Sequence, residues 1–270
     1  MAPYDPRPPA REPALNLPPV VVWLLVILAL IQAGRGLLSD IDDYAVISWL
    51  AFVPARLTLW AQPERIDEVV NALAQSTAGQ NVADKLQLVR LLLADGGVRL
   101  WTLLTYGLLH GSWMHLASNG LWLAAFGSPV ARRLGAGRFL NLLALCTVGG
   151  ALLHWWTRDL DVLPLVGASA GISGATAAAI RFVFAPGLRF GALGNDAVVR
   201  SIPIEPLGRL WRNSRALLFT AIWFVTNILF GAGLVPIFGE ETSIAWQAHI
   251  GGFLVGLFLF PLFDRAPRPA

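Results

Sequence analysis

Residue 169 is a serine near the start of an apolar, membrane-length segment, in Gly167-Ala168-Ser169-Ala170-Gly171-Ile172-Ser173-Gly174. Residue 249 is a histidine near the start of another, in Ala248-His249-Ile250-Gly251-Gly252. A hydroxyl and an imidazole are the parts of a nucleophile and its general base. Histidine is costly in hydrocarbon and is rarely there without a reason. Brought together from two helices, the pair would make a hydrolase that works inside the bilayer. Taken singly, each has a plainer reading: a small-residue packing face for the first, a satisfied interhelical histidine for the second.

A third cluster is His110-Gly111-Ser112-Trp113-Met114-His115-Leu116-Ala117-Ser118-Asn119. His115 and Asn119 are four apart, so they share a helix face. Both can donate hydrogen bonds. Two donors converging on one point can stabilise a developing oxyanion. The backbone N–H of Ser169, at a helix start, lacks a helical partner and suits the same anion. His110 points elsewhere or sits in the loop, where a structural hydrogen bond is its plainer role. Gly167, Gly171, Gly174 and Ala178 recur at helical spacing. Gly252 and Gly256 lie on the face of His249 and form a Gly-x-x-x-Gly packing pair. Two such faces would let the helices bearing Ser169 and His249 pack directly.

Within the apolar segments there is no Asp or Glu. A Ser-His dyad is therefore expected, without an orienting carboxylate. A zinc site from His110, His115 and His249 is possible by residue count, but no HExxH-type pattern accompanies it, and no metal or cofactor is expected. His154 reads as interfacial, and Cys146 as a buried structural thiol.

The elements that must position these residues follow from composition. The chain is 56% hydrophobic and only 14% charged, which excludes an ordinary soluble domain. Lys85 is its sole lysine. The arginines fall mainly in loops between apolar segments, which reads as topology rather than a nucleic-acid surface. Six segments reach or approach bilayer length: 19–38, 106–127, 138–157, 168–186, 215–233 and 245–263. In lipid they must be helices. The expected fold is an all-α polytopic bundle of six transmembrane helices. The run after Pro18 and Pro19 reads as a retained first helix rather than a cleaved signal.

Loop charge then gives orientation. The 128–137 link carries Arg132 and Arg133, and the 187–214 link carries Arg189, Arg200, Arg209 and Arg212. The 158–167 and 234–244 links are neutral or acidic. By the positive-inside rule both termini are cytoplasmic, and Ser169, His110, His115 and His249 share the outer leaflet. The domain reading is a tail over 1–18, a transmembrane domain over 19–264 and a short tail over 265–270. The first outer loop, 39–100, is too long for a connector. Its amphipathic pieces, including 49–53, 57–60 and 84–93, read as a folded outer cap without a catalytic part.

The pattern resembles the rhomboid family of intramembrane serine proteases. Gly167-Ala168-Ser169 is similar to its serine motif. His115 to Asn119 resembles its His-x-x-x-Asn, and Ala248-His249-Ile250-Gly251-Gly252 through Gly256 its Ala-His-x-Gly-Gly motif. The three lie in the family's order, on segments two, four and six. The resemblance implies Ser169 as nucleophile and His249 as general base. It implies an oxyanion hole of His115, Asn119 and the Ser169 N–H. His110 matches a histidine that orders a polar cavity, and Gly167, Gly252 and Gly256 match supporting glycines. Ser112, Ser118 and Ser173 are expected to help line that cavity. Substrates would be transmembrane segments of other proteins, admitted from the lipid bilayer past Trp223 and Phe224 of segment five and the loop before segment six. The expected location is the cell membrane, a bacterial inner membrane. The rival is a rhomboid-like protein that binds membrane segments without cutting them; such relatives usually lack the Ser or the His.

Three positions depart from the family pattern. Ala170 stands where a glycine usually follows the serine. Ser173 stands where many members carry an aromatic residue stacked on the base. The family's Trp-Arg pair appears as Trp101-Thr102, with Arg99 on the other side.

Overall fold

A computed structural model describes residues 16–76, 97–232 and 245–264. All named elements among them are helical, and one isolated antiparallel bridge joins Phe52 to Leu165. The stretch 84–93, the 234–244 link and the 265–270 tail lie outside the described residues.

Helix α1, Pro19–Arg35, opens on a proline at its first position. That position has no helical partner for an N–H, so proline starts the helix without loss. The long loop after α1 then folds into α2 (Asp40–Leu50), α3 (Pro54–Ala61) and α4 (Ile66–Ser76), which form a cap. Ser39 caps α2 by accepting from the Asp42 N–H at 3.2 Å. Val53, Ala55, Val69, Leu73 and Val162 form a small core of this cap.

The cap does not float free of the site. It holds the segment that leads into Ser169. Phe52 and Leu165 exchange backbone hydrogen bonds at 3.3 and 2.8 Å, and Ala55 N–H donates to Asp161 O at 2.9 Å. Thr58 Oγ1 donates to Asp159 O at 2.7 Å, and Arg65 pairs with the Asp159 carboxylate at 2.7 Å. Arg99 lies 4.3 Å over the Trp49 ring, and Trp49 stacks on Trp101 at 5.8 Å.

After the short α5 (Thr102–Thr105) comes α6 (Trp113–Trp122). It runs through a π-helical turn, Leu123–Gly127, into α7 (Ser128–Leu134). The second segment was expected from 106. Instead Ser112 caps the helix by accepting from the His115 N–H at 3.1 Å, so residues 109–112 lie outside it. Helices α8 (Ala136–Thr157) and α9 (Ser169–Val183) follow. Two short helices, α10 (Asp196–Ser201) and α11 (Leu207–Leu210), lie in the arginine-rich link. Then come α12 (Ser214–Gly231) and α13 (Trp246–Phe263). Helices α8, α12 and α13 are long and apolar enough to cross a membrane; α1 is apolar but shorter.

The centre of the bundle is α9, buried from Ala170 through Val183 and flanked by α8 and α13. Its Ala and Gly content fits that place, because small residues let three backbones approach. A Cβ on Gly252 would collide with Ala170 O, and one on Gly256 with Gly174 O. The Gly-x-x-x-Gly face of α13 therefore lies directly on the α9 backbone. Cys146 of α8 fills the space beside Gly174, buried and free as the sequence reading expects.

The end of the bundle remote from Ser169 is tied by arginines. Arg133 donates to Val199 O at 2.9 Å, to Ile202 O at 2.7 Å and to the Asp264 carboxylate at 2.9 Å. Arg181 donates to Glu205 O at 2.8 Å and Leu257 O at 2.9 Å. Arg133, a link charge in the sequence reading, and Arg181, inside the fourth apolar segment, here lace the arginine-rich link to the helix ends.

Candidate active site

Ser169 is the first residue of α9. Just before it, Gly167 has φ +118, a conformation that residues with a Cβ rarely adopt. Its N–H donates to Tyr106 O at 3.0 Å, and the Tyr106 hydroxyl donates to Thr147 O at 2.8 Å. The turn is thus fixed to α8 before the serine is presented. A Cβ at Gly167 would stand 2.8 Å from His115 Nε2 and 3.6 Å from Ser169 Oγ. The two side chains face one small volume that only a glycine leaves open.

His249 lies in the first turn of α13. Its Nε2 is 2.7 Å from Ser169 Oγ. Its Nδ1 is 2.5 Å from Oδ1 of Asn227, a residue of α12 that the sequence reading missed. The Asn227 amide nitrogen donates to Trp223 O at 2.7 Å. The only available signal was a polar residue on the stripe Ala216–Trp223–Asn227, which supplies the buried residues of α12.

His115 and Asn119 sit on one face of α6, as the four-residue spacing requires. A weak bond from the Gly111 N–H reaches His115 Nδ1 at 3.5 Å. That contact favours a proton on Nε2, the nitrogen turned towards Gly167 and Ser169. Asn119 is buried, and its Nδ2 has no hydrogen-bond partner among the described residues. A buried donor without a partner is expensive in a folded protein and marks a place where an acceptor can be received.

His110 lies in the loop before α6, 1% exposed, its ring edge-on to His115 at 5.1 Å. Both its ring nitrogens lack partners among the described residues. Its carbonyl accepts from Arg35 Nη1 at 2.7 Å, and Arg35 is gripped by both oxygens of Asp43, at 2.7 and 2.9 Å. Asp43 of α2 thereby fixes, through α1, the loop that carries the His115 helix.

His154, near the end of α8, is 5% exposed. Ser112 caps α6, and Ser118 is exposed. Ser173 donates to Ser169 O at 2.7 Å and is taken up by its own helix. The methyl of Ala170 is turned away from the hydroxyl, towards Gly150 of α8, where an added Cβ would stand 2.5 Å from it.

A serine hydroxyl bonded to an imidazole, beside buried donors facing the same volume, can carry out acyl transfer. A family model for the rhomboid domain matches residues 98–265, more than half of the chain and all three motifs. That family consists generally of intramembrane serine proteases. The chain therefore belongs to the rhomboid family, and it is a membrane protein built as a helical bundle.

Proposed function

We propose that this chain is an intramembrane serine endopeptidase that cleaves transmembrane segments of other membrane proteins near the outer face. The observation that carries the reading is the 2.7 Å separation of Ser169 Oγ and His249 Nε2, between two helices packed backbone to backbone. The length of α9 supports it. Fifteen residues rise about 22 Å, less than the ~30 Å hydrocarbon core. With its arginine-tied end at the inner surface, Ser169 is set below the outer surface rather than on it.

In this reading the chain crosses the membrane six times, with residues 19–264 as one transmembrane domain and both termini cytoplasmic. Its setting is a bacterial inner membrane. Arg132, Arg133, Arg200, Arg209 and Arg212 mark the cytoplasmic side. A substrate helix arrives laterally past α12, where Trp223 stacks on Phe253 of α13 at 4.6 Å with Phe224 beside it.

His249 Nε2 takes the proton of Ser169 as Oγ attacks the scissile carbonyl. The carbonyl oxygen becomes an oxyanion, received by His115 Nε2–H, Asn119 Nδ2–H and the Ser169 N–H. Collapse breaks the C–N bond, and the imidazolium gives its proton to the leaving amine. Water, deprotonated by the same histidine, then hydrolyses the acyl-enzyme. No cofactor enters any step.

A serine-directed fluorophosphonate tests this. The expected result is covalent labelling of the wild type and none of Ser169→Ala. Labelling that does not depend on Ser169 would favour a protein that binds membrane segments without cutting them.

A further inference from the structure

Asn227 reaches the proposed base from a helix that carries none of the family's three motifs. We propose that Asn227 is a positioning residue: its side-chain oxygen holds His249 with the proton on Nδ1 and the lone pair on Nε2. A Ser169–His249–Asn227 triad then spans α9, α13 and α12. This rests on the proteolytic reading above.

The orientation of the amide follows from its second contact. A carbonyl, Trp223 O, lies 2.7 Å from one end of the Asn227 side chain. A carbonyl only accepts, so that end must be the NH2 group. The other end, 2.5 Å from His249 Nδ1, is therefore the oxygen. An amide oxygen only accepts, so Nδ1 carries the proton. A neutral imidazole has one proton, which leaves Nε2 as an acceptor facing Ser169 Oγ. The hydroxyl then donates to the atom that must remove its proton. The opposite tautomer would set two lone pairs against each other at Asn227 and leave Nε2 unable to act as a base.

Burial gives the contact its worth. Asn227 is 8% exposed, on the only stripe that α12 turns inward. Burying an amide costs free energy unless its groups are bonded, and here both ends are. Among the described residues, Ser173, one turn along α9, makes no hydrogen bond to the ring; its hydroxyl donates to Ser169 O at 2.7 Å. When Ser169 gives up its proton, the Nδ1–H···Oδ1 bond becomes charge-assisted and strengthens. An amide does this less strongly than a carboxylate would. Because the acceptor hangs from α12, the base is set only while that helix is seated on α13.

The test compares wild type, Ser169→Ala, Asn227→Ala and Asn227→Asp on a membrane-anchored reporter in liposomes across pH. Asn227→Ala is expected to lower kcat about ten- to hundredfold with KM unchanged. Asn227→Asp is expected to recover most of that rate at high pH. Its acid limb should move to higher pH, because a carboxylate beside an imidazole favours the charged form. His115 and His154 also face His249 and are common to all the variants, so the shift is read against a constant background. Wild-type kcat in Asn227→Ala would overturn the inference. If that variant does not fold, an unshifted acid limb in Asn227→Asp overturns it alone. Cleavage that persists in Ser169→Ala would instead overturn the proteolytic reading, and this inference with it.

Discussion

Gly150 of α8 and Ala170 of α9 are a matched pair: the methyl of the residue after Ser169 occupies the space that a side chain on residue 150 would need. Gly150→Ala would also press on Ala248 O, at 2.6 Å from the new Cβ. Overpacking of this kind costs ~1–3 kcal/mol. Thermal unfolding in detergent should show Gly150→Ala destabilised. Ala170→Gly added to it relieves one of three close contacts, leaving Ala248 O and the Tyr106 hydroxyl at 3.2 Å, so it should recover only part of the loss.

Asn119→Ala should separate activity from stability. The residue is buried with an unpartnered Nδ2, so its truncation removes a desolvated donor and exposes no other group. Its unfolding temperature should not fall. Its kcat should drop by about 10²–10³ with little change in KM, the size of one lost oxyanion donor. An unchanged kcat would remove Asn119 from the oxyanion hole.

Gly252→Val should act on catalysis through distance. Its Cβ collides with Ala170 O, so α13 must move off α9 and carry His249 away from Ser169. A displacement of about 1 Å can cost ~10²-fold in rate. Reporter cleavage should fall by at least that factor in protein that still inserts and carries the wild-type helix content.

The remote end should respond to charge. Arg133 and Asp264 pair at 2.9 Å with side chains 2% and 3% exposed. Removing one partner of such a pair typically costs ~3–5 kcal/mol, so Arg133→Met should lower the unfolding temperature sharply. It would also orphan Val199 O and Ile202 O. By contrast, Arg200 and Asp196 are 3.5 Å apart and more than half exposed, and Arg200→Ala should cost below about 1 kcal/mol.

Much of the site is legible in the sequence because its residues sit on periodic elements. The spacing of His115 and Asn119 follows from one helical turn, and the small residues at 252 and 256 announce a close crossing that the structure contains. Asn227 carries no such signature. Its meaning comes from where α12 crosses α13, which no local pattern encodes. Hydropathy places the start of α6 too early because residues 106–109 stay apolar; the stop lies in the Ser112 cap, a hydrogen bond rather than a hydropathy step. His154 sits beside Trp155 and Trp156, which hydropathy alone places at an interface; that its ring is buried within the protein is a tertiary fact no local pattern encodes. Asp159 and Asp161 read as loop charge, while their carbonyls and a carboxylate in fact hold the cap to the strand-like approach to Ser169.

Cleavage of a membrane-anchored reporter, read as release of its outer portion, tests the central claim most directly. Wild type, Ser169→Ala and His249→Ala would be inserted at equal amounts. The account predicts release by the wild type and none by either variant. Full release by both variants would contradict a Ser169–His249 dyad.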